Sequence, residues 1–242
     1  MSADPNDATR YDDCGFDIYH LDTPLNFDTL GTQGGRKFCI LKVTEASTVE
    51  DPEFAPRVRQ LISTNIKRLG AYHFAHHSDP VGQMNFFIDT YKAAIQGITP
   101  TPNFLFMLDL EINPHEDDPP QEADGLAMVQ QLQSIGINPI IYCGRDFWSQ
   151  SHAELLKCPH LLAAYNKNPV SALPWRIPGA DTYGWDMWQY TSGDPNPKFG
   201  GPWAKTIPGG SPTMDLDCFN LVKHPKGLED WWDARLKETP QP

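Results

Sequence analysis

Residues 104–118 read Phe-Leu-Phe-Met-Leu-Asp-Leu-Glu-Ile-Asn-Pro-His-Glu-Asp-Asp, an apolar run that breaks abruptly into acid. Phe104–Leu110 is short, aromatic-rich and apolar, the pattern of a buried strand. Side chains alternate along a strand, so Asp109 and Glu111 share a face, with Cα atoms about 6.6 Å apart. Two carboxylates that close resist being charged together, and one is driven to hold a proton. Cleavage of a glycosidic bond needs that division, an acid for the leaving oxygen and an anion nearby. Acidic strand ends are also common as solvated loop entries or helix caps, so the pair alone does not decide the chemistry.

Working outward, further strand patterns lie at Gly15–Tyr19, Phe38–Val43, Ala71–Ala75, Pro139–Cys143 and Leu161–Tyr165. Helical patterns separate them. Glu53–Leu69 carries an apolar face ending at Gly70, which reads as a C-cap glycine. Gln83–Ile95, Ala123–Ile135 and Asp146–Lys157 are the other candidates within the alternating region. Strand and helix alternating at this spacing imply a parallel sheet able to close into a barrel. After residue 166 proline and glycine become dense and the helical alternation stops. Asp186–Thr191 and Thr213–Phe219 read as short closing strands, and Leu228–Leu236 as a final helix with Trp231 or Trp232 packed down. The expected fold class is α/β, an irregular TIM-like barrel of about five parallel β/α units finished by short antiparallel strands. Residues 1–13 read as a flexible N-terminal arm and 14–242 as a single catalytic barrel domain.

In such a barrel the reactive groups gather at the C-terminal ends of the strands. Asp17 near the end of the first strand and Asp215 in the last could therefore meet Asp109 and Glu111 at one mouth. The composition fits a packed domain: 40% of residues are hydrophobic and 21% charged. The net charge of −12 argues against nucleic acid and against an electrostatic membrane anchor. No apolar run approaches membrane-spanning length, and the first residues lack the pattern of a classical signal peptide. The five cysteines at 14, 39, 143, 158 and 218 are widely spaced without a C-x-x-C pair. Cys39 and Cys143 read as small buried hydrophobes, and one or two bridges are compatible with the spacing.

Ordered motifs over residues 15–219 resemble glycoside hydrolase family 25, the Chalaropsis or cellosyl type of lysozyme. They are Gly15-Phe16-Asp17-Ile18 with His20; Lys42-Val43-Thr44-Glu45 with Asp51-Pro52; and Gly70-Ala71-Tyr72-His73-Phe74. Leu108-Asp109-Leu110-Glu111, Pro139 to Tyr142, Ala163-Ala164-Tyr165, Trp188-Gln189-Tyr190 and Met214-Asp215-Leu216-Asp217 follow in order. The resemblance implies an N-acetylmuramidase that cuts the β-1,4 bond between N-acetylmuramic acid and N-acetylglucosamine. It implies Glu111 as general acid, Asp109 assisting, and Asp17 and Asp215 completing an acidic floor. Whether the reaction is substrate-assisted or uses an enzyme nucleophile stays open. Peptidoglycan glycan strands are the expected partner, with action at the bacterial wall, extracellular or periplasmic, by a monomer. No cofactor and no metal are expected. The sequence departs from the family at Tyr19, where serine is usual, at Asp22, where an amide is common, and at Asp217, where asparagine is usual.

Tyr72 and Phe74, alternating with His73, are expected to face the mouth, although Tyr72 equally suits core packing. Tyr165, Trp188 and Gln189 are further cleft candidates, and Lys42 and Glu45 could pair beside the acids or at the surface. His73, His76 and His77 with Asp79 lack the helical spacing of a zinc site. Two alternatives remain. A chitinase-like barrel glycosidase would need a third acid where Met107 stands, and a non-catalytic wall-binding barrel would not need all four acids.

Overall fold

The computed structural model describes residues 4–111, 118–144, 154–165, 184–194, 196 and 201–242. Among these, β1 (Tyr11–Ile18), β2 (Phe38–Glu45), β3 (Val49–Glu50), β4 (Arg68–Phe74), β5 (Phe104–Asp109), β6 (Ile140–Gly144), β7 (His160–Ala163), β8 (Met187–Thr191) and β9 (Asp215–Asn220) form one sheet. Its order is β1-β9-β8-β7-β6-β5-β4-β2-β3, and an additional β1–β2 pairing closes it into a barrel. Every barrel pairing from β1 through β2 to β8 is parallel. Only β9 is antiparallel to its barrel neighbours, β1 and β8. The expected irregular α/β barrel is therefore present, but parallel pairing runs further than the sequence suggested. The strand at Asp186–Thr191, read as part of the irregular finish, is parallel to β7.

Alternation along the strands divides the hydrophobic residues into two bodies. Phe38, Ile40, Leu105, Met107, Ile140, Leu161, Met187 and Phe219 fill the barrel interior. Phe16, Leu41, Ala71, Phe104, Phe106, Ile141 and Trp188 face outward, toward the helices. Two inward positions have no room for a side chain. A Cβ on Gly15 would stand 1.8 Å from the Phe38 ring, and one on Gly70 would stand 2.9 Å from Ile40. Gly70 is thus not a helix cap, as its sequence context suggested, but an interior residue of β4.

The helices are α1 (Phe27–Thr32), α2 (Phe54–Leu61), α3 (Pro80–Ile95), α4 (Glu122–Ser134) and α5 (Leu228–Glu238). α2 stops well before the expected Leu69. The Thr64 hydroxyl donates to Leu61 O (2.8 Å) and accepts from Ile66 N (3.1 Å), giving the backbone a turn in place of the next helical bonds. Ile66 and Leu69 are still buried in the outer core, so their apolar spacing reflected burial rather than helix. α3 begins at Pro80, earlier than Gln83, because Asp79 accepts from Gly82 N (3.0 Å) and proline suits the first helical position. Of the candidate helix Asp146–Lys157, only the short 3-10 turn Leu155–Lys157 and Glu154 before it lie within the described residues.

Tyr11–Asp13, read from sequence as part of the arm, belong to β1. α5 plugs the end of the barrel where the parallel strands begin. Its Trp232 is fully buried, with its ring 5.4 Å from that of Phe38, while Trp231 lies 5.5 Å from Phe219. The opposite end, where the parallel strands finish, is left to polar side chains. All five cysteines are free thiols and buried, so the one or two bridges that their spacing allowed are not formed.

Candidate active site

The ladder registers carry the polar residues around one end of the barrel. Asp17 of β1 pairs with Asp215 of β9, Phe74 with Asp109, Asp109 with Tyr142, Ala163 with Gln189, and Gln189 with Asp217. The antiparallel direction of β9 is what brings Asp215, at its start, level with Asp17, near the end of β1. Asp17 and Asp215, 198 positions apart in the sequence (215 − 17), therefore share one mouth with Asp109. Glu111, just past β5, acts electrostatically on Asp17, Asp215, Tyr142 and Tyr165. Asp109, Asp17, Asp215 and Asp22 all bear on the Tyr72 hydroxyl.

Gln189 is the hub of this layer. Its Oε1 accepts from the hydroxyls of Tyr142 (2.9 Å) and Tyr165 (2.6 Å), and its Nε2 donates to Asp17 Oδ2 (2.8 Å). Burial pushes the Asp17 carboxyl group up, with Asp22 and Glu111 adding to the rise and its hydrogen bonds with Gln189 and Asp217 opposing it. Burial, then the charges of Asp17 and Asp22, holds Asp215 well above the usual carboxylate range. The same desolvation raises the phenols of Tyr72, Tyr142 and Tyr165, so all three are hydrogen-bond donors at neutral pH. The arrangement can keep protons on some carboxyl groups while neighbours stay ionised.

Lys42 and Glu45 face the mouth together, although residues three apart on a regular strand would face opposite ways. A register shift between Lys42 and Thr44 restores the parity, pairing Lys42 with Tyr72 and Glu45 with Phe74. Lys42 Nζ then sits 2.5 Å from Glu45 Oε2 and 4.7 Å from the centre of the Phe74 ring. Glu45 Oε1 also meets His76 Nε2 at 3.3 Å. The segment after β1 is fixed from beneath. Asp22 Oδ2 accepts from Tyr19 N (2.9 Å), Asp51 Oδ2 from His20 N (2.8 Å), and Arg57 donates to the carbonyls of Tyr19 (2.6 Å) and Asp22 (2.8 Å).

Trp188 does not join the cleft. It stands next to Gln189 on β8 and so has the opposite parity. It is fully buried in the outer core, with its Nε1 donating to Ala164 O at 2.8 Å. The histidines also separate. His73 is buried between Thr44 Oγ1 (2.8 Å) and Gln83 Oε1 (3.0 Å), burial lowers it to about 4, and it is neutral. His77 pairs instead with Asp124 at 2.7 Å. Among the described residues, no group of three or more His, Cys, Asp or Glu side chains is arranged to hold a metal ion. Tyr142, Asp51 and Arg57 were missed as contributors. Alternation with Ile140 could have revealed Tyr142, but no local pattern marks a supporting arginine on a helix.

The family model for glycosyl hydrolases family 25 matches residues 16–198. Among solved structures, a muramidase from Trichobolus zukalii is 26% identical, with 93% of this chain and 99% of that chain covered and a TM-score of 0.64. A bacterial lysozyme from Streptomyces coelicolor is 18% identical over 97% and 100% of the two chains, with a TM-score of 0.67. A family 25 lysozyme from Aspergillus fumigatus is 24% identical over 91% and 97%, with a TM-score of 0.63. A search of curated proteins found no match. With the motifs, the acid-lined barrel mouth and a family match over well more than half its length, the chain belongs to glycosyl hydrolases family 25 and is a glycoside hydrolase of the lysozyme and muramidase class.

Proposed function

We propose that this enzyme hydrolyses the β-1,4 bond between N-acetylmuramic acid and N-acetylglucosamine in peptidoglycan, with Glu111 as general acid and Asp109 assisting. The observation that carries the assignment is the convergence of Asp17, Asp109, Glu111 and Asp215 at the end of the barrel where the parallel strands finish. Glu111, on the rim and half-buried, gives its proton to the glycosidic oxygen as the bond to the anomeric carbon breaks. The positive charge that develops on the sugar is stabilised by the carboxylates beneath it. Water then adds at the anomeric carbon, and its proton returns to the Glu111 carboxylate. Tyr72, Phe74, Tyr165, Gln189, Lys42 and Glu45 are the proposed sugar-contacting residues. Trp188 is withdrawn from that set because its ring lies in the outer core.

Met107 supports this reading over a chitinase-like one. It lies on the inner face of β5, one layer below Asp109, buried among apolar side chains where a third acid would have no water. The enzyme is proposed to act on glycan strands of the bacterial wall as a monomer. Among the described residues, no helix is long and apolar enough to cross a membrane. Digestion of purified peptidoglycan followed by mass analysis tests the assignment. New reducing ends at muramic acid are expected; reducing ends only at glucosamine, or release only from chitin oligomers, would replace it.

A further inference from the structure

Asp217 is a fully buried acid that the proposed chemistry leaves unused. It lies on the inner face of β9, two residues below Asp215, in register with Gly15 of β1 and Gln189 of β8. It is fully buried, and neither carboxyl oxygen accepts from an N–H or hydroxyl donor among the described residues. Its polar contact is a hydrogen bond with the carboxyl group of Asp17. Arg36 is the cation that bears on it. That guanidinium is committed to Asp13 Oδ1 (2.8 Å), Asp13 O (2.7 Å), Gly34 O (2.9 Å) and Gly15 O (3.1 Å).

Two carboxyl groups in hydrogen-bond contact need a proton between them. The surroundings decide which group carries it. Asp17 receives the Gln189 amide at Oδ2 (2.8 Å), which favours a negative charge there. Asp217 receives no such donor and is surrounded by Asp17 and Asp13 on β1 and Asp215 on its own strand. From the mouth, Asp22 and Glu111 add negative charge around Asp17, while Tyr142 and Tyr165 are neutral donors that Gln189 already engages. We propose that Asp217 is a positioning residue: its protonated carboxyl donates to the Asp17 carboxylate and clamps it against Gln189 at the floor of the cleft. This rests on Asp17 being part of the active site. Rising pH removes the shared proton, leaves two adjacent anions and releases the clamp, so Asp217 sets the alkaline limit of activity.

The test combines carbon-13 titration of aspartate-labelled protein with pH profiles of wall lysis for wild type, Asp217→Asn and Asp217→Leu. Thermal melting checks that each variant is folded. In wild type, a carboxyl resonance that stays protonated past neutral pH and is lost in Asp217→Asn is expected. An amide can still donate but cannot lose its proton. Asp217→Asn should therefore keep lysis within about threefold near pH 5 and shift the alkaline limb upward by about one unit or more. Asp217→Leu, with no donor, should lose roughly tenfold or more at all pH values. Should it fail to fold, Asp217→Asn carries the test alone. An Asp217 resonance that titrates in the ordinary carboxylate range, or an Asp217→Asn profile identical to wild type, overturns the proposal. A wild-type protein inert on peptidoglycan but showing the persistent proton would instead sink the muramidase reading and support the pairing.

Discussion

Asp17 and Asp215 face each other directly across the β1–β9 seam, the antiparallel pairing through which the last strand closes the barrel. The site is therefore completed by closure itself: half of its acids come from strands at the two ends of the chain. Anything that opens this seam removes Asp215 from the mouth while leaving the Asp109–Glu111 pair on β5.

Replacing Glu111 with glutamine keeps the shape of the side chain and removes the transferable proton. Lysis of purified peptidoglycan is expected to fall by about a hundred- to ten-thousand-fold, with an unchanged melting temperature. Retained turnover would take Glu111 out of the chemistry.

Stability should fall as pH rises toward and past neutral. Burial raises the interacting carboxyl groups of Asp17, Asp215 and Asp217, which hold their protons as a cluster, above 3.8 in the folded protein. The folded state therefore binds these protons more tightly than the unfolded chain, and the resulting stability is complete below 3.8 and lost as pH rises through the raised values. At the acid end the sign reverses for Asp186, which is held below 3.8 by His224 and Lys223 despite its burial. Its contribution is present above 3.8 and fades as pH falls through the lowered value. Melting scans should show a mildly acidic optimum, and Asp17→Asn should flatten the neutral side while lowering activity.

Gln189→Leu leaves the hydroxyls of Tyr142 and Tyr165 without their shared acceptor and Asp17 without its amide donor. Urea unfolding should report a loss of about 2–4 kcal/mol, since each buried group left unsatisfied costs about 1–3 kcal/mol. Turnover should drop by roughly tenfold or more, because Asp17 is no longer held.

Trp188→Phe separates core from cleft. The indole is fully buried and its N–H is bonded to Ala164 O, so the variant should lose about 2 kcal/mol of stability with KM unchanged. A raised KM without loss of stability would return Trp188 to the sugar-binding surface.

Gly15→Ala puts a methyl group 1.8 Å from the Phe38 ring, inside the barrel where Phe38 already rests against Trp232. Overpacking of about 1–3 kcal/mol or more is expected, visible as a lowered melting temperature or loss of soluble protein.

Local sequence determined which residues could do chemistry and which strand carried each of them. Phe104–Asp109 is a strand because its apolar run is short and flanked in sequence by proline and polar residues, and alternation places Asp109 on one face whatever lies around it. The acids at 17, 109, 111 and 215 were legible for that reason, as was the barrel class from the rhythm of strands and helices. Tertiary structure decided what depends on contacts between distant segments. The register shift in β2 turns Lys42 and Glu45 to the same side, and parity on β8 sends Gln189 inward and Trp188 outward. Seam pairing makes Asp215 the neighbour of Asp17, and burial then sets which carboxyl groups keep a proton. A linear chain encodes its own periodicity, but the parity after a bulge, the partner across a closed seam and the dielectric around a charge exist only once the sheet has closed.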